Sequence, residues 1–357
     1  MTARRHLLRR FARTFLACLP LWQCCMPYRV NAAPAQDITY SAYADTYLAH
    51  DFNHLPTRYR PYTTQPYYTD EPALNLGYVD VKVDTAKYRG RLAMQYGTSV
   101  IANYADESKE FFRYFQEAYA GIKLSESLTV DAGIFFSHIG VESWISRDDW
   151  NLTRSLIAEN SPYYQSGLRA QYAISQSLST QLLLLRGWQN ISNDQSLALG
   201  TQIAWDATTT TSLYHNLFVG NEHGERIFND FIIKHQITAS FGIDAAYDLG
   251  IQQRRDQDTA LWQGWSIIPH YAVNSRVALA GRVEYYSDPH QVIVKSLSSQ
   301  SFNATGLSAN IDYKITPALT WRNEYRVFLS THEVFPRHTG FSYSDSVVTS
   351  SIAYTVQ

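Results

Sequence analysis

The chain of 357 residues has no long apolar run and, past its N-terminus, no cysteine. Beyond residue 32 no stretch reaches the length of about 18 apolar residues that a membrane-spanning helix needs, and the longest leucine tract is Leu182 to Leu185. The three cysteines, Cys18, Cys24 and Cys25, all precede residue 32. A helical membrane protein is therefore excluded, and disulfide bonds do not stabilise the remainder of the chain.

Basic clusters are also lacking once the N-terminus is set aside. The first 32 residues hold six of the 30 basic residues and none of the 32 acidic ones, so residues 33–357 carry 24 basic and 32 acidic residues and a net charge of about −8. No block of lysine and arginine remains that could bind nucleic acid, and we expect no nucleic-acid partner. No zinc, nucleotide or nucleophile motif is present, so no catalytic residue, cofactor or metal is predicted.

The N-terminus has the layout of a secretory signal peptide. Five arginines lie within residues 4–13, an apolar stretch covers residues 15–28, and small residues suited to cleavage follow at Ala32, Ala33 and Ala35. A buried N-terminal helix is the alternative, but two prolines within the apolar stretch oppose it. We expect residues 1–32 to be removed after export and residues 33–357 to form a single domain.

Short segments of alternating character fill the rest of the chain. Alternation with a period of two is the pattern of β-strands whose two faces meet different surroundings. It predicts sixteen strands, near residues 38–48, 73–84, 88–100, 114–124, 127–136, 164–174, 177–188, 196–206, 209–219, 227–235, 238–251, 261–272, 275–286, 303–314, 317–329 and 346–356.

Each clear segment separates into one apolar and one polar face. In 303–314, Leu307, Ala309 and Ile311 alternate with Ser308, Asn310 and Asp312. The apolar face would meet lipid in a membrane barrel, whereas it would point into the core of a soluble sandwich. The alternation alone does not choose between these two folds.

The connections favour the barrel. Tight links alternate with longer polar ones near 50–72, 101–113, 137–162, 189–195, 220–226, 252–260, 287–302 and 330–345. Short periplasmic turns and long outer loops produce this asymmetry in an even-stranded barrel, and a Greek-key sandwich does not. We therefore predict an all-β fold, a closed antiparallel transmembrane β-barrel of about 16 strands.

Aromatic residues support a membrane setting. The chain has 26 tyrosines, eight tryptophans and 16 phenylalanines. Amphipathic rings near strand ends are typical of the aromatic girdles at membrane surfaces, with packed sheet aromatics as the alternative. The predicted girdle residues are Tyr40, Tyr88, Tyr163, Tyr164, Trp188, Trp205, Trp262, Trp265, Tyr285, Tyr286 and Tyr354.

Charged residues on the polar faces are candidates for lining a pore. They are Arg89, Arg91, Glu117, Lys123, Arg169, Arg282, Glu284, Arg322, Glu324 and Arg326. The presence of both signs argues against a strongly ion-selective channel, in which one sign would dominate. Any single member could instead be a wall residue paired across strands.

The third long connection, 137–162, is too apolar for a loop in solvent, since it contains two tryptophans and several leucines and isoleucines. We expect it to fold into the barrel and narrow the pore. A structured cap over the outer mouth is the alternative. The constriction residues would be Arg147, Asp148, Asp149, Arg154 and Glu159.

Several motifs are similar to those of a known family. They are the run from Asp131 to Gly140, the segment Asn160-Ser161-Pro162-Tyr163-Tyr164 followed by Gly167, the segment Gly187-Trp188-Gln189-Asn190, and Gly220-Asn221-Glu222. In these the chain resembles the OmpL-like β-barrel porin family of Gram-negative outer membranes. The resemblance spans most of the chain beyond residue 32 and implies an outer-membrane porin, without implying a particular solute.

The sequence thus predicts a non-enzymatic porin of the cell outer membrane, through which small hydrophilic solutes diffuse passively. Its expected partners are outer-membrane lipid, lipopolysaccharide and those solutes, and the choice between monomer and homotrimer stays open. The alternatives are a secreted or surface β-rich adhesin or sugar-binding protein and, more remotely, an outer-membrane hydrolase.

Overall fold

A computed structural model describes residues 38–192, 196–254 and 258–356; the predicted signal peptide lies outside these residues. Sixteen strands dominate it, each overlapping one of the predicted segments. They are β1 (Ile38–Asp51), β2 (Ala73–Asp84), β3 (Tyr88–Tyr96), β4 (Phe115–Lys123), β5 (Leu128–Phe136), β6 (Tyr164–Ala173), β7 (Leu178–Leu185), β8 (Ala198–Thr208), β9 (Thr211–Asn221), β10 (Glu225–Gln236), β11 (Phe241–Gln252), β12 (Ala260–Ala272), β13 (Val277–Asp288), β14 (Phe302–Thr316), β15 (Leu319–Leu329) and β16 (Ser344–Val356).

The sheet closes on itself. Every strand pairs antiparallel with its neighbours in sequence, and β1 pairs with both β2 and β16. At this seam ten consecutive residue pairs run from Ala42 opposite Val356 to Asp51 opposite Val347. Closure leaves the sheet without a free edge, so strand N–H and C=O groups bond within it. The predicted closed antiparallel barrel is confirmed.

Alternation along the strands sends apolar side chains outward. Val79, Leu279 and Ile311 are 61 %, 42 % and 45 % exposed on the outer surface, while charged neighbours such as Asp80 and Arg282 are buried inside. A protein with an apolar exterior and a charged interior is suited to lipid rather than water as its surroundings. This arrangement is the reverse of a soluble sandwich.

The connections at the two ends of the barrel differ in length. At one end, here the short-turn end, seven links have only two to four residues. Serine, threonine and asparagine side chains cap these turns; Asn274 Oδ1, for example, accepts bonds from the backbone N–H groups of Arg276 and Val277. The opposite, long-loop end carries loops 1 to 8, residues 52–72, 97–114, 137–163, 186–197, 222–224, 253–259, 289–301 and 330–343.

The observed strand boundaries differ from the predicted ones by at most four residues, and two of the differences have a clear structural cause. The fifth outer connection is a three-residue turn, because β9 and β10 stay paired up to Asn221 and Glu225. Strand β3 ends at Tyr96 because Gly97 adopts φ 147°, where an added Cβ would lie 2.2 Å from the Asn75 carbonyl oxygen. A short helix replaces the predicted end of that strand.

Three of the long loops contain short helices, turns or strands of their own. Loop 2 contains α1 (Thr98–Asn103) and α2 (Glu110–Arg113), and loop 3 contains a 3-10 turn (Ser146–Asp148) and α3 (Leu156–Glu159). Loop 8 forms a small ribbon from Phe335–Pro336 and Phe341–Ser342. Among the described residues no helix is long and apolar enough to cross a membrane.

Aromatic residues divide between the two faces of the barrel. Tyr40, Tyr88 and Tyr354 are exposed outside near the short-turn end, as a girdle requires. The prediction was wrong for Tyr163, Tyr164, Trp188, Trp262 and Tyr286, which pack inside the barrel. Loops fold over the inner surface at the long-loop end, so rings there meet other side chains rather than lipid headgroups.

Candidate functional site

Loop 3 lies inside the barrel and reaches the wall on several sides. The Gly140 backbone N–H donates to Asp230 on β10 over 2.7 Å, and Trp144 Nε1 donates to Gln95 on β3 over 3.0 Å. Farther along the loop, Ser146 Oγ donates to Asp45 on β1 over 2.8 Å, and the Leu152 N–H donates to Asn310 on β14 over 3.0 Å. The loop therefore spans the lumen instead of lying over the mouth.

Four buried charges on β13 and β15 fasten loop 3; we call Arg282, Glu284, Glu324 and Arg326 the wall latch. Arg282 Nη2 lies 3.0 Å from Glu324 Oε1, and Arg326 Nη2 lies 2.6 Å from Glu284 Oε1. All four side chains are at most 1 % exposed. Buried ions need such partners, because desolvation costs several kcal/mol for each ion.

The wall latch forms hydrogen bonds with the backbone of loop 3. The N–H groups of Thr153 and Leu156 donate to Glu324 and Glu284, each over 2.6 Å. Arg326 Nη1 donates to the Arg154 carbonyl oxygen over 2.8 Å. The latch thus satisfies polar backbone groups that would otherwise be buried without partners.

Arg322 on β15 holds the preceding part of the loop. Its guanidinium pairs with Asp312 over 2.9 Å, donates to the Asp149 carbonyl oxygen over 2.8 Å and also donates to the Ser146 carbonyl oxygen. Five of the ten predicted lining residues therefore form the attachment site of loop 3: Arg282, Glu284, Arg322, Glu324 and Arg326.

The other five predicted lining residues lie on β3, β4 and β6. Arg89 Nε and Arg169 Nε donate to Asp131 over 2.7 and 3.0 Å. Arg91 pairs with Asp80 over 2.9 Å and also with Glu117, and Lys123 pairs with Asp84 at the short-turn end. The four basic side chains keep 12 % to 30 % of their surface exposed. They are more accessible than the wall latch.

The five predicted constriction residues separate into two groups. Arg147 and Asp148 pair over 3.2 Å and stay partly exposed, whereas the carboxylate of the neighbouring Asp149 is buried and accepts the Ser143 N–H over 2.6 Å. Arg154 is buried between the rings of Trp144 and Tyr163, and Glu159 is buried against loop 1, where it accepts bonds from Thr64. The role of all five residues in a pore constriction stays a prediction.

An apolar core, which was not predicted, occupies the lumen towards the long-loop end. Leu156 and Ile157 of loop 3 pack in one cluster with inward side chains of the wall and with loops 7 and 8. The wall contributes, among others, Phe218, Phe228, Trp262, Phe302 and Phe328. An available signal was the apolar residue on the otherwise polar face near the outer end of several strands.

One cavity lies beside loop 3 and another lies within it. The larger, about 550 Å³, opens at the short-turn end and is lined by the β8–β9 turn, Lys234, Asp244 and part of loop 3. The smaller, about 120 Å³, lies between the two arms of loop 3. Glu142 lines both cavities. Glu142 was not among the predicted site residues, although a carboxylate in an apolar loop is a usable signal.

Burial perturbs two carboxyl groups of loop 3, outside the membrane-spanning strands. It raises the pKa of Glu142, although Arg282 acts in the opposite direction. Burial and the nearby charge of Glu142 raise the pKa of Asp149 well above its usual range. Within the described ranges no three His, Cys, Asp or Glu side chains are placed to hold a metal ion.

Comparisons with known proteins agree with this architecture. Residues 37–356 match a family described as "Putative beta-barrel porin-2, OmpL-like". No protein of curated function matches the chain in sequence. Solved structures are similar in fold: the outer membrane channel DcaP of Acinetobacter baumannii matches with a TM-score of 0.62 and 9 % identity, over 89 % of this chain and 97 % of DcaP.

Two further channels align over a similar length. OprB of Pseudomonas putida has a TM-score of 0.62 and 9 % identity, over 90 % of this chain and 94 % of OprB. An anion-selective porin from Comamonas acidovorans has a TM-score of 0.57 and 8 % identity, over 89 % of this chain and 99 % of that porin. At such low identity the similarity establishes the fold alone.

Proposed function

The chain belongs to the OmpL-like β-barrel porin family and is thus an outer-membrane porin for passive diffusion, and we propose that its solutes cross a lumen shaped by loop 3. The solutes are small and hydrophilic. The proposal includes the removal of residues 1–32 after export, with residues 33–357 as the single barrel domain.

One observation carries the proposal: loop 3 spans the inside of a closed barrel, with one cavity on its short-turn side and a second between its own arms. The cavity of about 550 Å³ at the short-turn end is lined by hydroxyl, carboxylate and ammonium groups. Such a surface replaces the hydration of polar solutes better than that of apolar ones. Loop 3 is therefore the element that limits solute size.

The apolar outer surface indicates that membrane lipids are partners of the protein. Its exposed side chains contact the hydrocarbon chains of outer-membrane lipid. We propose that lipopolysaccharide contacts the long-loop end, which faces outward when both termini lie in the periplasm. The fold and family are those of a channel, and we propose that the protein transports solutes without altering them chemically.

Planar-bilayer recordings of the refolded protein test the function. We expect stepwise current increases as single barrels insert, and faster liposome swelling in small sugars, amino acids and organic acids than in larger solutes. Absence of ion current at any protein load, with correct insertion shown by protease protection, would reject the pore.

A further inference from the structure

The two arms of loop 3 enclose the smaller cavity. Its lining comes from residues at the two ends of loop 3 and from Phe136 at the end of β5, so the cavity lies between the arms of the loop. Val141 lines only the larger cavity and Ser143 only the smaller one, whereas Glu142 lines both. Residues 141–143 therefore form the partition between the two cavities.

Three hydrogen bonds hold the backbone of this partition. The Gly140 N–H donates to Asp230 over 2.7 Å, and Lys234 Nζ donates to the Val141 carbonyl oxygen over 3.1 Å. On the other side, the Ser143 N–H donates to Asp149 over 2.6 Å. Because the backbone is held on both sides of Glu142, opening of the partition requires its side chain to give up the contacts that it makes.

The Glu142 carboxylate joins the two arms of the loop. It accepts the Ser155 N–H over 2.9 Å and the Ser155 hydroxyl, and it lies 3.2 Å from Arg282 Nη1. Its side chain is 4 % exposed. Because Ser155 belongs to the second arm, this contact closes the gap between the two cavities.

We propose that solutes cross between the arms of loop 3, past Glu142, which acts as the residue that favours small cations and hydrogen-bond donors over anions. This inference rests on the proposed porin function. Hydrogen bonds attach the outer edge of loop 3 to β1, β3, β10 and β13–β15, which opposes passage between the loop and the wall at these strands. Cavities, by contrast, already exist on both sides of Glu142.

The hydrogen bonds and charge of Glu142 explain the preference for cations over anions. For a solute to pass, the Glu142 carboxylate must release Ser155, and it then lacks the two hydrogen bonds that Ser155 supplied. A passing ammonium or hydroxyl group replaces those donors, while an anion leaves the carboxylate unpaired and is repelled. A single charge gives a modest preference, in accord with the mixed signs along the wall.

Reversal potentials in a potassium chloride gradient test this role through Glu142→Gln. We expect the cation-to-anion permeability ratio to fall by at least about fivefold, because one unit charge at roughly 4 Å in water changes the permeability of the cation alone by that factor. Glu71→Gln, which removes an exposed charge in loop 1, should leave the ratio unchanged.

A second control separates charge from loosening of the loop. Asn310→Ala removes the acceptor of the Leu152 N–H and so weakens the attachment of loop 3, but it changes no charge and removes no side chain that lines either cavity. It should keep the wild-type ratio. If Asn310→Ala lowers the ratio as much as Glu142→Gln does, loosening of loop 3 explains the effect and Glu142 is not the selective residue.

Cysteine labelling maps the route, because residues 33–357 contain no cysteine. Ser143→Cys marks the smaller cavity and Thr209→Cys the larger one, and a bulky thiol-reactive reagent should reduce the current through both variants. Gln171→Cys, on β6 beside Arg89 and outside both cavities, is the matched control. Block at Gln171→Cys without block at the other two positions would place the route along the β3–β6 wall and overturn the inference.

These results are distinguishable from failure of the proposed function. A wild-type barrel that carries no current refutes the porin itself. A conducting wild type whose permeability ratio is the same in Glu142→Gln refutes only the route past Glu142.

Discussion

The ion pairs of the wall latch stabilise loop 3 as well as the strands that carry them. Arg282 contacts three carboxylates, Glu142, Glu284 and Glu324, at 3.0 to 3.2 Å. All three also accept backbone N–H groups of loop 3. The guanidinium therefore neutralises carboxylates whose burial is required to hold the loop.

Replacement of Arg282 tests this arrangement. Arg282→Ala should lower the free energy of unfolding by about 3–5 kcal/mol, because it leaves buried carboxylates without a counter-charge. Urea titration of barrels folded into lipid vesicles measures the loss. Arg58→Ala serves as the control, since the Arg58–Glu71 pair is exposed and its removal should change stability little. An equal loss in both variants would contradict the wall latch.

At the scale of elements, the strands were predictable and the contacts of loop 3 were not. A period of two along one segment places Leu307 and Ser308 on opposite faces, and the alternation of tight and long connections then places Leu307 outside. The partners of loop 3 are distant in sequence; Thr153 and Glu324 are 171 residues apart, and no local pattern joins them. The sequence therefore identified loop 3 as an internal element but not Glu142 as the residue between its cavities.

The interior aromatics show the same limit. Trp262 and Tyr286 are aromatic residues near strand ends, as girdle residues are, yet they are buried in the core. Whether a ring at a strand end meets lipid or protein depends on its face and on the loop folded over that face. Only the three-dimensional path of loops 3, 7 and 8 decides this.

Shortening of loop 3 tests its effect on the lumen. Deletion of residues 144–157 should raise single-channel conductance severalfold, because it removes the segment between the wall latch and the opposite wall. Deletion of residues 337–340, the exposed tip of the loop 8 ribbon, should leave conductance unchanged. Equal conductance of the 144–157 deletion and wild type would show that loop 3 does not limit the current.

The whole molecule depends on lipid as the solvent of its outer surface. Side chains on adjacent strands form a continuous apolar band; Leu307, for example, is opposite Val283 on β13 and Val327 on β15, and Leu307 and Val283 are exposed. The interior carries the buried charges. Transfer of such a surface to water would expose the band, whereas a bilayer covers it.

Arginine substitution at two depths on one strand tests that dependence. Leu307 and Ile315 both face outward on β14, but Leu307 lies in the middle of the band and Ile315 lies past Tyr313, near the short-turn end. Leu307→Arg should destabilise the folded barrel by about 2–4 kcal/mol in vesicles, and Ile315→Arg by about 0–1 kcal/mol, because the cost of a charge falls towards the membrane surface. Urea titration in vesicles measures both values. Equal and small losses at the two depths would mean that water, and not hydrocarbon, surrounds Leu307, and the assignment of the outer surface to the membrane would then be wrong.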